Sequence, residues 1–117
     1  MRTDELEKEA KKALKTFPFL KKMELIDKHR GAIKLRLYVE ENFYIQAYYN
    51  MITGTTNFVA IIGNQRIFGR DCDRDGWHRH PFDDPDSHDC SSEGRKGVKL
   101  TEFLEEFQEI IEKENLL

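Results

Sequence analysis

Hydrophobic positions change their period twice along this chain, and each change marks an element. From about Thr3 to Phe17, the residues Leu6, Ala10, Ala13, Leu14 and Phe17 recur at helical spacing among Lys and Glu. That pattern predicts an amphipathic helix, stopped by Pro18. The period then falls to two. Leu20 to Lys28 reads as a modest strand and Ala32 to Glu40 as a strong one, with Ile33, Leu35, Leu37 and Val39 opposed to Lys34, Arg36, Tyr38 and Glu40. Phe43 to Met51 repeats the alternation, and the short break at Glu41-Asn42 predicts a hairpin. Phe58 to Ile62 and Arg66 to Arg70 flank Gly63-Asn64-Gln65, a second hairpin turn. Helical spacing returns near Thr101, the expected N-cap, with the stripe Leu100, Phe103, Leu104, Phe107, Ile110 and Ile111 and with Glu102, Glu105 and Glu106 early. The predicted fold is α+β: a five-stranded, mainly antiparallel meander with the N- and C-terminal helices packed on one face, as a single domain over residues 1–117.

After Arg70 the alternation gives way to a polar segment, DCDRDGWHRHPFDDPDSHDC, from Asp71 to Cys90. It holds three of the four histidines, both cysteines, the only tryptophan and seven aspartates. Such a composition is expensive to bury unpaired, so it reads as a site of chemistry or binding. Asp71, Asp73, Asp75 and Gly76 resemble the start of a calcium loop, but the twelfth position is Phe82, where a bidentate acid is required.

Two chemistries fit the histidines. His78 and His80 lie two apart, on one face of an extended backbone, with His88 able to fold back beside them. In the first chemistry His78 and His80 are a metal-free acid–base pair for RNA phosphodiester cleavage, since imidazole titrates near pH ~6.5. His88 supports them, Asp71 orients a ring, and Arg79 or Arg70 meets the phosphate. In the second, His78, His80 and His88 hold zinc, with Cys72, Cys90 or an Asp completing the set, although the spacing fits no established zinc pattern and there is no CxxC. Trp77 and Phe82 bracket the histidines, either pinning the segment to the core or stacking a base. Tyr38, Tyr44 and Tyr48 share the outward face of the first hairpin and offer a weaker binding signal.

Charge refines the picture only slightly. The net charge is −3, yet residues 1–70 carry 13 Lys/Arg against 8 Asp/Glu and residues 71–117 carry 6 against 14. A non-catalytic alternative is therefore an interaction domain whose acidic C-terminal helix docks a basic partner. No run approaches the roughly 18 apolar residues of a membrane span, and the charged N-terminus has no signal-peptide core, so a cytoplasmic protein is expected, its two cysteines thiols or metal ligands rather than a secreted disulfide framework.

GNQRIFGRD leading into GWHRHPFDDPDSH, from Gly63 to His88, resembles the TumE family of toxins from prokaryotic type II toxin–antitoxin modules. The resemblance implies a cognate DNA-binding antitoxin as partner and growth arrest as the consequence. A ribonuclease without a cofactor is the leading expectation, from the His/Arg chemistry. The zinc module and the interaction domain are the alternatives, and a homo-oligomer is left open.

Overall fold

Ala32–Glu40 and Phe43–Asn50 form two adjacent strands, as their alternation requires, and the remaining strands extend the same ladder on both sides. A computed structural model describes residues 2–117. Helix α1 (Thr3–Thr16) is followed by β1 (Lys22–His29), β2 (Ala32–Glu40), β3 (Phe43–Asn50), β4 (Thr56–Ile62), β5 (Gln65–Asp73) and β6 (Gly76–His80), and α2 (Leu100–Lys113) closes the chain. The strands make one sheet in the order β1-β2-β3-β4-β5-β6, each antiparallel to its neighbour.

The sheet therefore has six strands rather than the expected five. The polar segment does not begin as a loop: β5 runs on to Asp73 and β6 pairs back against it, with Cys72 opposite Trp77 and Asp71 opposite His78. The turn between them uses Gly76 at φ 98° and the Asp73 carboxylate, which accepts the Asp75 amide. The last helix also starts earlier than Thr101. Lys99 is its N-cap, and the Lys99 amide donates to the Glu102 carboxylate at 2.8 Å. Thr101 instead donates from its amide and hydroxyl to Glu9 of α1.

One face of the sheet carries Leu35, Leu37, Ile45, Ala47, Phe58, Ala60 and Phe68. These belong to a single buried cluster with Leu6, Ala10 and Ala13 of α1 and Leu100, Phe103, Leu104 and Phe107 of α2. Phe103 and Phe107 stack on Phe68 at 5.4 and 6.0 Å between ring centres, and Phe107 meets Phe43 edge-on. The opposite face is polar and paired across strands. Tyr38 donates to Glu24, Arg36 bonds Gln46 and lies over the Tyr44 ring, and Lys22 lies over Tyr38. The tyrosines of the first hairpin are thus already engaged with their neighbours.

Candidate metal centre

Alternation within β6 sends its side chains two ways. Trp77 and Arg79 point to the helix-bearing side, where Trp77 packs near Phe58 and Arg79 reaches Glu106 of α2. His78 and His80 point to the polar face. On β5, next to them, Asp71 lies opposite His78 and Gly69 lies opposite His80. A Cβ at position 69 would stand 3.2 Å from the Phe58 carbonyl and in ordinary contact, 3.8 Å, with the His80 side chain, so glycine here relieves the neighbouring backbone rather than the imidazole.

The third histidine arrives through the following segment. Arg79 and Asp89 exchange both backbone hydrogen bonds, at 3.2 and 2.8 Å, and close the loop between them. The Asp89 carboxylate also accepts from the Arg79 guanidinium. Hydrogen bonds from Ser91 and then from Arg79 hold the Asp89 carboxyl down to about 2 from its usual 3.8. This clasp sets His88 beside His80 on the same face. Ring centres are 5.1 Å apart for His78–His80, 4.7 Å for His78–His88 and 4.9 Å for His80–His88. Their potential ligand atoms all lie within 4.8 Å of one another.

His80 is the buried member, 3% exposed, while His88 is exposed. The His80 Nδ1 lies 2.9 Å from the Pro85 carbonyl, which only accepts, so Nδ1 carries the proton and Nε2 presents its lone pair. Nε2 lies 3.2 Å from the Asp71 Oδ2, and His78 Nε2 is 3.8 Å from the same oxygen. Burial first, and then the charge of Arg66, push the His80 pKa below the ordinary imidazole range. Neutral His80 and the carboxylate are both acceptors, and a cation between or beside them satisfies both. Arg66 NH1 stands 3.0 Å from Nδ1 and 3.2 Å from Nε2 of this ring.

The structure thus brings together four of the residues singled out from the sequence: His78, His80, His88 and Asp71. It sets the others apart. Arg70 is 1% exposed on the helix-bearing side, donating to both oxygens of Glu106 at 2.7 and 3.0 Å and to the Glu93 carbonyl. Arg79 shares that network through Glu106 and Asp89. Neither meets the histidines, and both brace the sheet against α2 and the loop. Cys72 projects with Arg70, and burial and the nearby Asp73 push its thiol pKa up; Cys90 is exposed. Among the described residues, the cluster of potential ligands contains neither cysteine. Trp77 and Phe82 pack against the core, which is the pinning role. A cavity of roughly 440 Å³ lined by Phe68, Arg79, Phe82, Glu106 and Ile110 lies away from all three histidines.

Sequence reasoning missed Arg66. A bulge is responsible: Phe68 pairs with Ala60 but Arg66 pairs with Ile61, so the register shifts by one residue between them. Phe68 faces the core and Arg66 the polar side, although residues two apart normally share a face. The Pro85 carbonyl had no sequence signal either, because its role depends on where the loop closes.

Comparison with family models, curated proteins and solved structures finds no match to this chain.

Proposed function

We propose that His78, His80 and His88 form a centre for a divalent first-row ion, with zinc as the best fit to an imidazole donor set, and that this centre serves hydrolysis. The observation that carries this reading is the setting of His80: its Nδ1–H is committed to the Pro85 carbonyl while its Nε2 lies 3.2 Å from Asp71 beside two further imidazoles. A backbone carbonyl on the far nitrogen is the usual support of a metal-bound histidine, orienting the ring and fixing its tautomer. Exposed His88 borders solvent, which favours a position left open for water or substrate. A bound ion would lower the pKa of its water to about 7, and the chain would contribute the ring orientation and the Asp71 carboxylate as proton acceptor. Spacing supports the metal over the acid–base pair: rings this close leave little room for a phosphate between an acid and a base.

The expectation of a toxin-like ribonuclease attaches to the same residues and stands as a proposal about substrate. Its metal-free form keeps one point in its favour, that Asp71 lies between two imidazoles as an orienting carboxylate does. One experiment separates the readings. Elemental analysis and calorimetry should find one zinc per chain, lost in His78→Ala, and any RNA cleavage should stop on chelation and return with zinc. Cleavage that survives chelation, with a bell-shaped pH profile, would replace the metal centre with the acid–base pair.

A further inference from the structure

Arg66 is exposed and lies on the polar sheet face only because of the bulge opposite Ile61, and its guanidinium rests against the one buried histidine of the cluster. Its NH1 is nearly equidistant from the two ring nitrogens, 3.0 Å from Nδ1 and 3.2 Å from Nε2, which places the guanidinium over the face of the imidazole rather than on the Nε2 lone pair. Arg66 therefore occupies the place of a cation beside His80 in the metal-free chain. Its positive charge opposes that of any metal held on Nε2. When a metal is held on Nε2, the guanidinium is repelled by the ion and swings off the ring. It remains tethered to β5 at the rim of the site, with its planar donor fork free.

We infer, on the basis of the metal reading, that Arg66 weakens metal binding by its charge and binds a phosphoryl oxyanion once the metal is held. The charge setting supports an anion. Arg70 and Arg79 spend their forks on Glu106, Glu93 and Asp89 on the other side of the sheet, so Arg66 is the guanidinium that adjoins the histidines. A guanidinium fork matches two phosphoryl oxygens at once, which lysine does not. For a phosphodiester substrate, water forms the new P–O bond, the bond to the leaving oxygen breaks, and that oxygen takes up a proton. Arg66 neutralises charge on the two oxygens that do not react.

Two titrations of the intact protein test this. In the first, zinc alone is titrated into the wild type and into Arg66→Gln, which should fold normally since the residue is exposed. Zinc should bind the variant about three- to tenfold more tightly, because one repelling charge beside the site is gone. In the second, inorganic phosphate is titrated into the zinc-loaded proteins. Arg66→Gln should bind it about tenfold more weakly or worse, and Arg66→Lys should fall between. Zinc binding of equal strength in wild type and Arg66→Gln, or phosphate binding indifferent to position 66, would overturn the inference while leaving the metal centre standing. A wild type that does not bind zinc would remove both.

Discussion

At the scale of single residues, the three histidines differ in what holds them. His80 is buried, bonded to the Pro85 carbonyl and fitted over Gly69, whereas His88 is exposed on a loop. Removing each should therefore have different consequences. His80→Ala should cost about 1–3 kcal/mol of stability in the metal-free protein, because a packed ring and its hydrogen bond are lost and the Pro85 carbonyl is stranded. His88→Ala should leave the metal-free melting temperature unchanged but weaken zinc binding by at least about tenfold. Thermal melts with and without zinc read both effects. Equal destabilisation by the two changes would show that the cluster is held together for structural reasons alone.

At the scale of elements, the site depends on the clasp between β6 and the loop that follows it. That clasp titrates. The Asp89 carboxyl has a folded value of about 2, below its usual 3.8, so the unfolded chain binds the proton more readily. Stability contributed by Ser91 and Arg79 is thus complete above about pH 4 and is lost as pH falls through the folded value. In Asp89→Asn that acid dependence should disappear, and zinc affinity at neutral pH should fall because His88 is the next residue along. Fluorescence of Trp77, on β6, followed through an acid titration of both proteins would check the first point. An unchanged acid limb in the variant would assign the titration to other carboxylates.

At the scale of the whole molecule, the uneven charge of the two halves becomes an internal connection. Basic Arg70 of β5 is satisfied by Glu106 of the acidic C-terminal helix and by Glu93 of the preceding loop. Lys28 of β1 pairs with Asp4 and Glu7 of α1 in the same manner, though at the surface. Because Arg70 is almost fully buried, removing its main partner leaves a charge it cannot shed. Glu106→Gln should cost about 3 kcal/mol in a urea melt, far more than removing a surface ion pair. A loss below about 1 kcal/mol would mean that Glu93 alone suffices. Among the described residues, no helix is long and apolar enough to cross a membrane.

The periodicities of the sequence determined both helices and the strands around the two hairpins, because a run of alternating or helically spaced apolar residues has one inexpensive way to be buried. Ala32–Glu40 needed no tertiary information, and the histidines were visible as candidates from composition and from their spacing of two. The sixth strand was not legible, although DCDRDGWHRH contains an Asp-Gly turn between alternating segments. Its inward positions are Trp77 and Arg79, facing Cys72 and Arg70 at the end of β5, and charged residues there disguise the alternation. They are tolerable inside only because Glu106 and Asp89 meet them, and those partners come from distant elements. The same holds for Arg66, sent to the histidine face by a bulge in pairing, and for the separation of Arg70 and Arg79 from the site. Side-chain period is a local property of the chain; the direction a charge faces, and what neutralises it there, is settled by strand register and by the helix that packs across it.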